Sequence, residues 1–264
     1  MSAVFGQTEP GWLAVRGAWG AGKIETVWAP AQAGRLQLLA LQQRLANDRA
    51  GMYVQAGCAM SAPAGTALGH ILLVRERGSP RLVGALDIRP PAHIRTAGGL
   101  QAARAFDLDR LHVLRAGLAE IDWIVLDPDR PSRPILCAMW AAIERYMADA
   151  QLRHAICCIT LPTHDGGHYA ASVYRTLARR RILVAGAHAV PRRRLEIESL
   201  LGGCDPVLPP LLKAAVAAGA AMLGEPGASD AQTASLPMLW QPGRQRGLLS
   251  GLLRGHRRTA DRMG

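Results

Sequence analysis

The sequence predicts a mixed α/β (α/β or α+β) protein built on one folded domain. Its 264 residues are 49% apolar and 19% charged, which is enough for a buried core and excludes disorder over most of the chain. Strand patterns alternate with helix patterns after residue 118, as is typical of the α/β class, and no internal repeat is visible. We expect the domain to span 31–241, between a loose arm at 1–30 and a basic, flexible tail at 242–264.

The elements before residue 118 follow from spacing and turn residues. Leucines at helical intervals among Gln and Arg predict an amphipathic helix over Ala33–Leu45. A connection rich in Gly, Ala and Pro follows. His70–Arg77 and Arg81–Arg89 then have the pattern of two strands, because Gly78-Ser79-Pro80 between them is a turn sequence.

The second half of the chain alternates strands and helices. Leu118–Leu126 predicts a strand, Asp127–Pro134 a polar loop and Ile135–Ala150 a helix with proline near its start. His154–Leu161 predicts an apolar strand, whose adjacent Cys157 and Cys158 we interpret as core thiols. The remaining predicted elements are a helix over Tyr169–Arg181, a helix from Leu208 through Met222 and a strand over Ser235–Trp240.

The net charge of +11 indicates an acidic partner without saying which one. Aromatic residues make up only 5% of the chain and no groove-reading motif is present, so nucleic acid is the least favoured partner. Seven arginines and no acid lie between Asp165 and Glu196, where they form either a solvated face or a docking surface. They are Arg175, Arg179, Arg180, Arg181, Arg192, Arg193 and Arg194.

The segment 244–264 carries six arginines against Asp261, for a net charge of +5, and two Leu-Leu pairs. This pattern fits either a short basic helix on an anionic membrane or a solvated, disordered tail. No signal peptide is visible at the N-terminus, and the longest weakly polar stretch is far shorter than the roughly 20 residues of a membrane span. We expect a cytoplasmic protein with a possible peripheral contact on the inner membrane surface.

The strand–loop–helix unit over 118–150 is the best local candidate for a phosphate site, because a helix N-terminus presents free N–H groups. The loop has no glycine, and its prolines remove donors. A phosphate would therefore depend on Arg130, Ser132 and Arg133. An ordinary surface loop is the alternative.

Glu120 is the candidate general base. It shares a strand face with Asp122, and half-burial beside Ile121 and Trp123 would raise its pKa. Two solvated acids are the alternative. His70, at the start of a strand, is either a capping or core residue or a second catalytic group.

His164 and His168 have the spacing of helical metal ligands. Gly166 and Gly167 between them predict a loop instead, and no CxxC pair is present, so we predict no metal site.

Several segments, preserved in order over roughly 33–240, are similar to motifs of one bacterial family. Leu208–Lys213 is the closest match (family LPPLLK). Gly69–Val74 resembles the family strand DHLLV, and Ala119–Ile121 resembles the start of LELGRSCVHPDYR. The other matching segments are Val83-Gly84, Ala105–Leu108, Asp127–Asp129, Trp140, Leu161-Pro162 with Asp165, Ala218–Ala220, Gly224–Pro226 and Asp230.

These motifs resemble the L-ornithine Nα-acyltransferases of ornithine-lipid biosynthesis, whose fold is similar to that of GNAT-type N-acetyltransferases and acyl-homoserine-lactone synthases. The resemblance implies a mixed central sheet flanked by helices. It also implies transfer of a 3-hydroxyacyl chain from acyl carrier protein to the α-amine of ornithine. On that reading no cofactor is bound, since the acyl donor is the phosphopantetheine thioester of acyl carrier protein.

The resemblance also suggests roles for single residues. Glu120, with His70, would act on the amine, the loop residues Arg130, Ser132 and Arg133 would hold the pantetheine phosphate, and the seven arginines would dock the acidic carrier protein.

The chain departs from the family at several charged positions. Gly69 replaces an aspartate, Asp87 an arginine, Ala105 a glutamate and Trp123 an arginine. These losses favour, as the alternative, a catalytically impaired relative that binds acyl carrier protein or lipid as a partner subunit.

Overall fold

A computed structural model describes residues 13–15, 24–29, 31–47, 69–184, 189–200, 206–230 and 232–242. The strands are β1 (Leu13–Val15), β2 (Ile24–Ala29), β3 (His70–Glu76), β4 (Leu82–Arg89), β5 (Phe106–Asp107), β6 (Leu118–Leu126), β7 (His154–Pro162), β8 (Val190–Pro191), β9 (Ala221–Met222), β10 (Gly227–Ala228) and β11 (Thr233–Trp240). The α-helices are α1 (Ala31–Asn47), α2 (Pro91–Thr96), α3 (Ser132–Asp149), α4 (His168–Arg179) and α5 (Pro210–Ala217). Two 3₁₀ segments, Gln101–Arg104 and Asp109–Gly117, precede β6.

Nine strands form one mixed sheet in the order β1-β2-β3-β4-β6-β7-β11-β10, with β9 also paired to β11. Among the described strands, β6 and β7 make the one parallel pair and all other pairs are antiparallel. A right-handed crossover through a helix is the usual connection of parallel neighbours, and α3 connects these two strands. The predicted class, a mixed sheet flanked by helices, is confirmed.

One face of the sheet is packed against α3, α4 and α5. Its core is continuous and apolar, and it includes Leu86 from β4, Ile124 from β6 and Met139 from α3. The rings of Trp140 and Trp240 meet edge to face at 5.0 Å, and the Trp240 indole N–H donates to the Ala218 carbonyl at 2.7 Å. We call this side the helical face.

The opposite face is covered in two separate places. Leu38 and Leu41 of α1 cover Ile71 and Ala85 on β3 and β4. Beyond β6, the segments before Leu118, together with Val184 and Ala189, cover Ile156 and Cys158 of β7. Both Cys157 and Cys158 are buried thiols outside any disulfide, as predicted. Charged residues lie between these two apolar clusters, at the junction of β4 and β6. We call this side of the sheet the split face.

Two predictions are wrong in part. Residues 24–29 were expected in a loose arm, but they form β2, which pairs with β3 along its full length from Ile24–Glu76 to Ala29–Ile71. Val27 and Ala29 are buried there, so the short alternating run was a strand signal. The helix predicted through Met222 ends at Ala217, because Gly219 adopts φ +95° and β9 then pairs with β11. The run of alanines explains the overlong prediction, since alanine favours helix without specifying it.

Candidate functional site

The β6–β7 ladder covers only the first half of each strand. It pairs Leu118–Ile121 with His154–Cys157, and no register pair joins the residues beyond Ile121 and Cys157. Each strand continues for five more residues, to Leu126 and Pro162. The two parallel strands therefore diverge in their second halves, and the divergence begins immediately after Ile121.

A β-bulge lies at the same level on the other side of β6. Asp87 of β4 is opposite Trp123, whereas the next residue, Ile88, is opposite Ile121. Asp122 is thus the extra residue of the bulge. A bulge changes the direction in which side chains point, and here it leaves Asp122 within reach of the same arginine as Glu120.

That arginine is Arg89, the last residue of β4. Its Nη2 lies 2.7 Å from Glu120 Oε2 and 3.2 Å from Asp122 Oδ2. The Arg89 residue is 0% exposed, Glu120 is 2% exposed and Asp122 is 9% exposed. Buried charges of this kind are tolerated only when they are paired. With Asp87, the site contains three carboxyl groups for one fully buried guanidinium.

Glu120 is fixed more firmly than the sequence suggested. Besides Arg89, it accepts hydrogen bonds from the Gln101 N–H at 2.9 Å on Oε2 and from the Ala102 N–H at 2.8 Å on Oε1. It is fully buried rather than half-buried. Burial raises the pKa of Glu120, and Arg89 followed by the Ala102 N–H opposes that shift. Both carboxylate oxygens are thus engaged, and Glu120 holds the first 3₁₀ segment against the sheet.

Asp87 has a different environment from Glu120. Its Oδ1 accepts the Gly69 N–H at 3.0 Å, and its Oδ2 has no hydrogen-bond partner among the described residues. Burial raises the pKa of Asp87 to about 7, an effect that Arg89 reduces and Asp122 reinforces. Burial also raises the pKa of Asp122, again against the effect of Arg89. The site therefore contains one carboxyl group that changes charge near neutral pH.

Gly69 is required by this arrangement. A Cβ placed there would lie 2.0 Å from the Ile88 carbonyl oxygen, so no other residue fits without a backbone shift. Asp87 on β4 therefore supplies a carboxylate where the backbone entering β3 approaches closely at Gly69. Arg89, also on β4, supplies the guanidinium next to Glu120, and Trp123 of β6 lies opposite Asp87.

Three buried polar atoms at the site lack a hydrogen-bond partner among the described residues. They are Arg89 Nε, Arg89 Nη1 and Gln101 Oε1. Native proteins leave few such groups unsatisfied. Two donors and one acceptor, next to carboxyl groups, are suited to a small polar ligand or to ordered water.

His70 lies at the same end of the sheet but in a ring cluster on the helical face. The centroid of its ring lies 5.2 Å from that of His93 and 5.4 Å from that of Tyr146. The ring centroids of Trp28 and Tyr146 are 4.8 Å apart. Burial and the neighbouring His93 lower the pKa of His70. Asp87 contributes to a raised pKa of Tyr146, after burial. The electrostatic effect of Asp87 thus reaches the ring cluster.

The predicted phosphate loop is at the far end of β6, about 20 Å from Glu120 along the strand. Arg130 forms an ion pair with Glu76 at 3.0 Å, and Asp127 accepts from Arg81 at 3.1 Å. Ser132 is the first residue of α3, and Arg133 is exposed. The structure thus places Arg130, Ser132 and Arg133 together and apart from Glu120.

The seven arginines lie on two segments near the β11 edge of the sheet. Arg179, Arg180 and Arg181 are exposed at the end of α4, and Leu183 just beyond them bridges to Met222 of β9. Arg192, Arg193 and Arg194 are exposed beside β8, where Arg194 bridges to Gly227 of β10. Arg175 is partly buried and donates to the Ile197 carbonyl. We call the six exposed residues the arginine edge.

The remaining predicted features have structural roles or lie outside the description. Asp165 accepts the N–H groups of Gly167 at 3.0 Å and Tyr169 at 2.7 Å, so it caps α4. His164 lies in the loop before it, and within the described ranges no cluster of three or more His, Cys, Asp or Glu residues could hold a metal. The predicted tail contact falls on 244–264, outside the described residues. None of the described helices is long and apolar enough to cross a bilayer.

Neither Asp87 nor Arg89 was predicted from the sequence to be a site residue. Asp87 was noted only as a position where the chain departs from the motifs that it resembles. The available signal was the strand Leu82–Arg89 itself, in which two charged residues at i and i+2 share one face of an otherwise apolar run.

The fold and the site together define a mixed α/β protein with a buried charged centre where its sheet opens. No protein-family model matches the chain. No curated protein matches it either. Among solved structures, a "putative acetyltransferase" from Sphaerobacter thermophilus is similar, with 11% identity and a TM-score of 0.36, over 84% of this chain and 96% of that one. At these values the likeness defines neither a family nor an activity for this chain.

Proposed function

We propose that the protein transfers an acyl chain from a thioester to an amine. The observation that carries the proposal is the divergence of β6 and β7 directly beside the buried charged centre. A pantetheine arm is a long chain with two amides, and the widening gap between two parallel strands offers it a place along the backbone of β6. Its thioester end would then lie near Arg89 and Glu120, and its phosphate end near the loop before α3.

The charged centre suits the second substrate. An acceptor amine is protonated in water, and a site with three carboxyl groups for one buried guanidinium favours a cation. We propose that Glu120 holds Arg89 and the 3₁₀ segment in place, and that Arg130, Ser132 and Arg133 contact the phosphate. His70 lies in the ring cluster on the helical face, so the proposal gives it no direct contact with the amine.

The proposed donor is an acyl carrier protein and the proposed acceptor is ornithine, as the motif resemblance implies. The arginine edge supports an acidic macromolecular donor, because six exposed arginines lie on two segments near the same edge of the sheet. On this proposal the reaction takes place in the cytoplasm, with 244–264 against the inner membrane surface.

Purified protein tests the activity directly. The assay mixes 3-hydroxyacyl carrier protein with ornithine and follows free thiol release and the N-acyl product by mass spectrometry. Acyl-coenzyme A as donor, and lysine or glycine as acceptor, define the specificity. We expect product only with an amine present. Thiol release that does not depend on the amine, or no release with any donor, would contradict amine acylation.

Docking has its own test. Reversing Arg179, Arg180 and Arg181 to Glu should weaken carrier-protein binding at least tenfold at low salt, because like charges replace opposite ones. The matched control reverses the exposed Arg77, Arg95 and Arg115. Equal binding by both triple variants would exclude the arginine edge as the docking surface.

A second candidate is a partner subunit that binds the carrier protein without catalysis. It is favoured by the closure of the centre, whose four charged residues are at most 9% exposed. Tight carrier binding that depends on the arginine edge, without thiol release, would identify this function.

A further inference from the structure

Four charged residues surround the proposed amine site, but they are not equivalent. Glu120 accepts three hydrogen bonds, two on Oε2 and one on Oε1, and Asp122 is held by an ion pair with Arg89 through Oδ2. Asp87 has one oxygen without a hydrogen-bond partner among the described residues. A general base must have a lone pair free for the proton that it takes.

We propose that Asp87, rather than Glu120, is the general base that deprotonates the acceptor amine. This assignment rests on the proposed acyl transfer. It uses a residue on β4, one strand away from the glutamate to which the motif resemblance points, and at a position where the family has an arginine.

The backbone geometry explains why Asp87 can take this role. The Gly69 N–H holds Oδ1, which fixes the carboxyl plane and leaves Oδ2 as the atom that accepts the proton. The bulge at Asp122 brings a second carboxyl group near Asp87, and the repulsion between them favours the protonated form. Burial acts in the same direction, so Asp87 takes and releases a proton near neutral pH.

The groups that interact with Asp87 come from two strands, the chain entering β3 and one helix. Arg89 on its own strand favours the charged form, whereas Asp122 and Glu120 on β6 oppose it. The Gly69 N–H of the chain entering β3 favours the charged form, and Tyr146 of α3 is close enough to feel its charge. Because the net shift raises the pKa of Asp87 to about 7, its protonated and charged forms are nearly equally populated at neutral pH, which suits a general base.

The reaction balances as follows. One proton passes from the ammonium to Asp87 Oδ2, and the freed nitrogen lone pair attacks the thioester carbon. The C–N bond forms, the C–S bond breaks, and the second nitrogen proton goes to the departing thiolate. The unpartnered Nε and Nη1 of Arg89 are donors for the carbonyl oxygen as its negative charge develops. Asp87 then returns its proton to solvent after the amide has left.

The experiment is the pH dependence of kcat/KM for four proteins: wild type, Asp87→Asn, Glu120→Gln and the exposed control Asp149→Asn. The kcat/KM of the wild type and of the control should rise with pH and level off above about pH 7. We expect the kcat/KM of Asp87→Asn to fall 10²- to 10⁴-fold and its pH profile to show no midpoint near pH 7. Glu120→Gln should lower kcat/KM, because Glu120 positions Arg89, yet retain a pH midpoint; that midpoint should move slightly downward, since a neutral glutamine no longer opposes the charged form of Asp87.

Two controls separate the ways in which the proposal can fail. Circular dichroism and binding of the acyl carrier protein show whether Asp87→Asn is folded, and Asp87→Glu tests whether a displaced carboxylate restores the pH midpoint. An active wild type with an equally active Asp87→Asn overturns the assignment alone. A wild type without amine-dependent thiol release overturns the proposed function and the assignment together.

Discussion

The two faces of the central sheet are stabilised in different ways. The helical face is a continuous apolar core in which Met139, Leu86 and Ile124 pack without an intervening charge. The split face has its apolar residues in two separate clusters, with Arg89, Glu120, Asp122 and Asp87 buried between them. Burying these charged groups carries a desolvation penalty that a wholly apolar face does not have. A cost of this kind at the centre of a sheet indicates function.

The largest effect we expect is on the split face. Arg89→Ala leaves three buried carboxyl groups without their guanidinium and should lower the free energy of unfolding by about 3–5 kcal/mol at neutral pH. The loss should shrink as pH falls, because protonated carboxyl groups no longer repel one another. Urea denaturation at pH 5 and pH 8 measures it. A loss below about 1 kcal/mol, or an equal loss at both pH values, would mean that the ion pairs of Arg89 contribute little to the free energy of unfolding.

The corresponding change on the helical face is Met139→Ala. Met139 is 1% exposed, and its methyl group lies against Gly84 of β4. The cavity should cost about 3 kcal/mol. No titratable group is removed, so urea denaturation should give the same loss in the free energy of unfolding at pH 5 and at pH 8. A pH-dependent loss would contradict the separation of the two faces.

The smallest effect we expect has the opposite sign. A carboxyl group whose pKa is raised in the folded protein stabilises it below the unfolded pKa of 3.8, and that stability is lost as pH rises through about 7. Asp87→Asn keeps a neutral group there at all pH values. It should stabilise the protein by about 2 kcal/mol at pH 8, with a ceiling of about 4 kcal/mol from the full shift.

Thermal or urea unfolding of Asp87→Asn at pH 4 and pH 8 tests this sign. The variant and wild type should be nearly equal at pH 4 and differ at pH 8. A variant that is less stable than wild type at pH 8 would show that the hydrogen bond from Gly69 to a charged carboxylate outweighs burial. Together with the kinetic experiment, a more stable but less active variant would mark the split face as the functional one.

Much of the fold follows from sequence pattern, because long periodic segments specify their elements. Leu118–Leu126 forms β6 at the predicted bounds, and the helix predicted over Ile135–Ala150 is α3, which begins three residues earlier. The site was only partly predictable. Glu120 could be identified from its strand, but the hydrogen bonds that it accepts from the Gln101 and Ala102 N–H groups depend on a 3₁₀ segment that sequence pattern does not reveal. The bulge at Asp122 is likewise a property of strand register, which one strand alone does not encode.

Gly69 also restricts the order in which substitutions can occur. Gly69 and Asp87 are linked, because the Gly69 N–H donates to Asp87 Oδ1. A side chain cannot be introduced at position 69 while the Ile88 carbonyl oxygen lies 2.0 Å from the place of its Cβ. Changing Asp87 alone to a residue without a side-chain acceptor would leave the Gly69 N–H without its partner. Position 69 can therefore change only after the β4 backbone moves, so a designer who wants a side chain there must begin with the backbone.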